Sequence, residues 1–295
     1  FLMYSLEKIH ARLISQDNYR FWDSGLNGRS AVALFFFYYY RFAKDVNSYN
    51  QGIELIEYEL NDLENISNVS LFNGLSGIAW TINHLCIENL LDINHDEFLP
   101  DLLEDQLKSI FFSKDYITSQ EHFEINCNIL FYFIERFIST RSEQLKGNYE
   151  IFINQSLIFY THIFYQLKKN KYYEKFSVNI LESFIKLLNL LTNIFPSPLI
   201  DFLLSESIKW IIKKPLIHSY PLIQKHISIS LNYLTDIKLI KQANIFFEKI
   251  KIEDIPDKSD DKEIGIWNSG YSKLGLNLIV KQENHMSDTL KYLLY

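Results

Sequence analysis

Cysteine is nearly absent: the 295 residues hold two, Cys86 and Cys127, 41 positions apart. That spacing excludes a disulfide framework and the paired-cysteine patterns of zinc and redox sites. Both lie in apolar stretches, where a cysteine behaves as a small buried hydrophobe. Glycine (9) and proline (6) are also scarce, and no segment alternates apolar and polar residues between turn signals, so a β-rich fold is excluded. Positive charge is not in excess. Lys and Arg number 29 against 36 Asp and Glu, the net charge is -7, and the two signs are interspersed, which leaves no basic footprint for nucleic acid. No uncharged apolar run reaches the roughly 18 residues of a membrane-spanning helix. The start, FLMYSLEKIHARL, carries Glu7 and Lys8 and lacks the basic-then-apolar order of a signal peptide. A cytoplasmic protein with no transmembrane segment is expected. No G-x-S-x-G phrase and no G-x-x-x-x-G-K-[ST] loop occurs, so neither a serine triad nor a phosphate loop is supported.

What the chain does contain is apolar surface, 47% of residues, and aromatic side chains, 16%, ample for a buried core. It also contains a repeated phrase. Residues 73–80 read NGLSGIAW; residues 27–34, which are 46 positions earlier, read NGRSAVAL; residues 269–276 read SGYSKLGL. Asn27, Gly28, Ser30 and Ala33 match Asn73, Gly74, Ser76 and Ala79, and Gly270 and Ser272 keep the same places. Long-period self-similarity of this kind marks a repeat architecture. With Ile78 as register mark, apolar helical stretches begin at Val32, Ile78, Ile129, Ile180, Ile227 and Leu274, at intervals of 46, 51, 51, 47 and 47.

Between the marks lie second stretches with one apolar stripe: Ile53, Ile56, Leu60 and Leu63; Leu99, Leu102, Leu103, Leu107 and Ile110; Leu157, Tyr160, Ile163, Phe164 and Leu167; Phe202, Ile208, Ile211 and Ile212; Leu239, Ala243, Phe246 and Phe247. Stretches that are apolar nearly all round suit an inner layer, and amphipathic ones an outer layer. Asp96 and Asp236 suit helix starts. None of the breaks, at Pro196–Pro198, Pro215 and the acidic loop 254–261, has linker composition. The expected fold is all-α, an α/α toroid of helical hairpins in one domain, 1–295. Closure into a ring is favoured over an open stack by the glycines, which allow a tight turn and turn helix N–H groups toward a centre.

The phrases LFNGLSGIAW, NGRSAVALFFFYYYRFAKD and NSGYSKLGLNLIV resemble the glycine-bearing repeats of the lanthionine synthetase C-like family, cyclases of thioether-bridged peptides. The likeness is closest over residues 20–136 and returns at 264–281; residues 140–260 match in period alone. The resemblance implies an α/α toroid with zinc in its mouth, held by a cysteine of one inner repeat and a Cys-His pair of the next, where the metal keeps a substrate thiolate deprotonated. Counted from the register marks, the ligand positions here hold Glu174, Pro221 and Leu222. Two of these cannot bind zinc, and no cysteine follows Cys127. A substitute set of Glu174, His218 and His226 is the remaining option. The resemblance also implies seven hairpins where six are visible, so a hidden seventh would lie near 140–170.

Polar residues gather where the inner helices begin: Asp23, Asn27 and Arg29; Asn73 and Ser76; His122, Glu124 and Asn126; His226; Asn268, Ser269 and Lys273. In a closed ring they form a rim for a peptide or other ligand, with Asp23, Asn27, Arg29, Asn73, Glu124, Asn126, His226, Asn268 and Lys273 as candidate binding residues. Helix capping is the competing role for Asn27 and Asn73, and solvation for Arg29 and Lys273. Asp23 and Glu124 are the only candidates for a hydrolytic carboxylate pair. The aromatic run Phe35–Tyr40 suits packing better than a sugar platform. The expected function is a zinc-free, non-catalytic protein of lanthipeptide-type maturation, with no cofactor, whose partner is a precursor peptide or a peptide-modifying enzyme. The alternatives are an active cyclase or a toroid hydrolase, and a plain helical interaction scaffold.

Overall fold

The computed structural model describes residues 2–15, 23–113, 119–169, 177–213, 221–249, 271–280 and 290, and every regular element among them is helical. The α-helices are α1 (Leu2–Ile14), α2 (Arg29–Ala43), α3 (Val46–Asn61), α4 (Leu75–Ile87), α5 (His95–Leu99), α6 (Asp105–Phe111) and α7 (Gln120–Ser139), followed by α8 (Glu143–Lys169), α9 (Val178–Ile194), α10 (Pro198–Ile212), α11 (Pro221–Leu231), α12 (Ile237–Lys249) and α13 (Tyr271–Val280). Each register mark falls in its own helix: Val32 in α2, Ile78 in α4, Ile129 in α7, Ile180 in α9, Ile227 in α11 and Leu274 in α13.

The chain forms two compact units, one of Phe1–Phe112 with Asp257–Tyr295 and one of Ser113–Pro256. In the first, α2 packs on α3 and α4, and α13 packs on α1 and α2, so the first and last copies of the repeat are neighbours. In the second, α9 packs against both α7 and α11, while α8, α10 and α12 form a second series, each seated on its preceding partner.

The two layers follow from side-chain pattern. Helix α2 is buried without a break from Arg29 to Tyr39, and α4 from Leu75 to Leu85. A helix covered on all sides can be apolar all round, and each such Phe or Leu contributes about 1.5–3 kcal/mol. Phe35 through Tyr39 lie in this core, so the aromatic run does pack. Outer helices bury one stripe only; α8 buries Tyr149, Phe152, Ile153, Ser156, Leu157, Tyr160, Ile163, Phe164 and Leu167.

Three expectations are corrected. Leu102 and Phe202 are 38% and 39% exposed, outside the buried stripes set by Leu99, Leu103 and Leu107 and by Ile200, Leu203, Leu204 and Ile208. On α3 the buried face is Ser48, Gly52, Leu55, Ile56 and Glu59, because Gly52 admits the Phe37 ring, 2.9 Å from where a Cβ would sit. Residues 143–169 form one helix rather than a seventh hairpin. Of the two expected helix starts, Asp236 caps α12, accepting from the amides of Lys238 (3.0 Å) and Leu239 (3.1 Å). Helix α5 is capped instead by Asn94, which accepts from the amide of Asp96.

Candidate functional site

In the first unit the repeated phrase builds a loop-on-loop junction. Gly28 and Gly74 precede α2 and α4 with no side-chain cap. A Cβ on Gly28 would sit 1.6 Å from the Asp23 carbonyl oxygen, and on Gly74 2.0 Å from that of Asn68. These same carbonyls accept from the first helical amides, Arg29 N–H to Asp23 O (2.9 Å) and Leu75 N–H to Asn68 O (3.0 Å). The lead-in loop therefore takes up these first N–H groups, which corrects the expectation that glycines aim them at a ligand. Gly77 is needed for the same kind of reason, since its Cβ would lie 2.0 Å from Leu71 O and 3.0 Å from the Cα of Gly25. Gly25 itself has φ +71, a conformation that favours glycine.

The two lead-in loops are joined to each other. Leu26 and Asn27 donate their amides to Leu71 O (3.3 Å) and Phe72 O (2.7 Å). The Asn27 side-chain amide donates to Asn73 Oδ1 at 2.9 Å. Asn27 and Asn73 thus pair across the repeat instead of capping helices. The motif serines anchor the junction, Ser76 to Val69 O (2.6 Å) and Ser30 to Glu59 Oε2.

Glu59 is fully buried and went unnoticed in the sequence, where it reads as one more acid of an amphipathic helix. Its Oε1 accepts from the Gly25 amide at 3.0 Å and lies 3.8 Å from Arg29 Nε. Burial pushes its carboxyl up to about 7 against the opposing pull of Ser30, the Gly25 amide and Arg29. Arg29 is itself 3% exposed, donates to Ser24 Oγ (2.7 Å), pairs with Asp62 at 3.5 Å and covers the Tyr58 ring. It is a buried strut, neither solvated nor part of a rim. Asp23, by contrast, is exposed, and Lys273 is half-buried on α13. Deeper in this unit the Tyr38 hydroxyl meets His84 Nε2 at 2.9 Å. His84 stacks on Trp80, and burial pushes its imidazole down to about 3, with help from the Arg41 charge.

In the second unit α7 begins at Ser119, which accepts from the His122 amide. Glu124 is half-buried, its carboxyl raised by desolvation and by Glu121, whereas Asn126 is 1% exposed, too deep for a rim. Helix α9 carries Glu182 and Lys186 one turn apart. Burial raises the Glu182 carboxyl to about 7 despite the Lys186 charge. His226, on α11, is pushed down to about 4 by burial and then by Lys186 and Lys225. Lys186 therefore acts on both groups. Further along α9, Asn189 donates to the His226 carbonyl (2.8 Å) and accepts from Ser230 Oγ (2.8 Å), which fixes α11 against α9 at His226. The sequence reading named His226 but missed Glu182 and Lys186. The signal was there: an i,i+4 acid–base pair on an otherwise apolar inner helix.

The second unit thus brings a carboxyl raised toward neutrality, an ammonium and a neutral imidazole onto two neighbouring helices. Asn268 and Ser269 lie outside the described residues, as do Glu174 and His218.

Of the three positions at which the resemblance expects zinc ligands, two carry proline and leucine, which offer no donor. Pro221, at one expected ligand position, is the first residue of α11, and its ring offers no donor. Cys127 is 6% exposed, takes the Tyr160 hydroxyl on its sulfur at 3.5 Å, and burial pushes its thiol up to about 12. Among the described residues no three His, Cys, Asp or Glu side chains converge on a common point. Among those residues, too, no helix is long and apolar enough to cross a membrane.

No curated protein and no solved structure matches the chain. The family model of the lanthionine synthetase C-like proteins, whose fold is the α/α toroid, matches residues 22–120. That span holds the first two copies of the repeat, both lead-in loops and the glycines that let them pack. Over it, the chain is similar to the lanthionine synthetase C-like proteins.

Proposed function

We propose that this protein serves lanthipeptide-type maturation by holding a precursor peptide, or the enzyme that modifies it, without zinc and without cyclase catalysis. The observation that carries this reading is the donor set. Proline and leucine stand at positions 221 and 222, where the family resemblance calls for sulfur and imidazole. What supports binding is that the packed helices α9 and α11 carry Glu182, Lys186 and His226, with the Lys186 charge acting on the other two, a mixture of groups suited to backbone amides and carboxylates of a peptide. In this reading the protein is cytoplasmic.

One observation favours a second reading. Glu182 raised and His226 lowered are a carboxyl and an imidazole whose environments push their proton affinities past each other, as acid–base enzymes require. Zinc analysis after dialysis and a peptide titration separate the readings. We expect zinc far below one per chain, and micromolar binding of a Ser- and Cys-bearing precursor peptide, weakened about tenfold by Lys186→Ala. One zinc retained per chain, or ring formation in a dehydrated peptide, overturns the non-catalytic reading.

A further inference from the structure

The repeated phrase holds the only two Asn-Gly pairs of the chain, Asn27–Gly28 and Asn73–Gly74. An asparagine before a glycine is open to attack on its side-chain carbonyl by the next backbone nitrogen, because glycine has no side chain to hinder the approach. The outcome depends on what holds that nitrogen and that carbonyl, and the junction holds them differently in the two copies.

Asn27 closes the short 3-10 helix Gly25–Asn27, and the Gly28 amide donates to Gly25 O at 3.0 Å. The Asn27 side-chain oxygen is buried and accepts no hydrogen bond among the described residues. The nitrogen that would attack is committed, and the carbonyl is not polarised. At the second copy both conditions reverse. Among the described residues the Gly74 amide has no acceptor, and Asn73 Oδ1 accepts from the Asn27 side-chain amide at 2.9 Å. That donor sits where negative charge develops during attack, as in an oxyanion hole. Both glycines are buried, so burial does not separate them, but Asn73 is exposed and Asn27 half-buried. We propose that Asn73 is a site of spontaneous deamidation promoted by Asn27, and that Asn27 itself is protected. The Gly74 nitrogen, giving its proton to solvent base, bonds to Asn73 Cγ and expels ammonia; water then opens the cyclic imide to aspartate or isoaspartate. Aspartate keeps an acceptor for Asn27. Isoaspartate adds a carbon to the main chain where Gly74 already lies against Asn68 O.

The test incubates the full chain at mildly alkaline pH and follows the Asn27 and Asn73 peptides by mass spectrometry over days. In the folded protein the acid at 73 is expected to accumulate at least about tenfold faster than at 27. In denaturant, where neither hydrogen bond survives, the two rates should converge. Asn27→Ala is expected to slow the reaction at Asn73 about fivefold, whereas mere loosening of the loop would speed it. Equal rates at the two sites of the folded chain, faster loss at Asn27, or no acid at 73 while the denatured chain converts would overturn the proposal. So would acceleration at Asn73 in Asn27→Ala. The peptide-binding reading does not depend on the result.

Discussion

Replacing Glu59 with Gln should make the protein more stable at neutral pH, although it removes the acid that faces Arg29. In the folded chain burial holds the carboxyl up to about 7, against its ordinary 4.5. Between those values the folded protein keeps a proton that the unfolded chain has released. Stability therefore falls as pH rises through that window and is level on either side of it. At 1.36 kcal/mol per pH unit the full drop is about 3 kcal/mol. Glutamine has nearly the shape of the protonated acid. Its oxygen can accept from the Gly25 amide and its NH2 can face the Ser30 hydroxyl, so the variant should match the parent near pH 4.5. By about pH 8 it should exceed the parent by about 3 kcal/mol. Urea unfolding at a series of pH values, followed by the buried Trp80, measures both proteins. His84, pushed down to about 3, destabilises the fold as pH drops below its ordinary value of 6.5, but it does so equally in the two and cancels in the difference. A difference that stays constant from pH 4.5 to 8 would refute the reasoning. It would mean that Ser30, the Gly25 amide and Arg29 outweigh desolvation and keep the carboxylate charged throughout.

Gly74→Ala and Gly28→Ala each force a Cβ onto a backbone carbonyl, 2.0 and 1.6 Å away, and should lower stability by at least about 2 kcal/mol. Gly147→Ala, in α8 with nothing within 4 Å of its Cβ, should raise it by about 0.5–1 kcal/mol; denaturant midpoints of the three variants check the contrast. Cys127 should resist iodoacetamide at about pH 8 in the folded protein and react fully in denaturant, which peptide mass spectrometry reads directly. Native-state labelling of Cys127 would show its sulfur to be more accessible than its burial allows.

The helices were legible because burial leaves a coarse mark. A helix covered on all sides, such as α2 or α4, needs no polar face, so each register mark stands out as an apolar run. The outer helices were legible as stripes, but their exact facing was not. Periodicity shows that a stripe exists without saying which residues sit at its edges. Leu102 and Phe202 fell outside for that reason, and on α3 the core face turned out to be centred on a serine, a glycine and an acid. Glu59 could not have been found from periodicity at all. Its burial depends on Arg29, Ser30 and Gly25, at least 29 residues away in the chain, and no local pattern encodes that meeting. The role of Asn27 was misjudged likewise: a cap is a local device, whereas its observed partner, Asn73, is 46 residues on.

The repeated phrase has a structural cause that is independent of chemistry. Gly28, Gly74 and Gly77 are demanded by backbone carbonyls of their own lead-in loops, Gly25 by its φ and by the neighbouring loop, and Ser30 and Ser76 by hydrogen bonds inside the same junction. A chain that lost its metal donors would still have to keep all of these to fold. The family match at 22–120 therefore speaks for architecture in the first unit. We propose that binding belongs to the second, where α9 and α11 carry Glu182, Lys186 and His226. If that is right, substitutions there should alter what the protein binds while sparing its stability, and substitutions at the glycine junction should do the reverse. Binding and unfolding measured on Lys186→Ala and Gly74→Ala side by side would expose any mixing of the two roles.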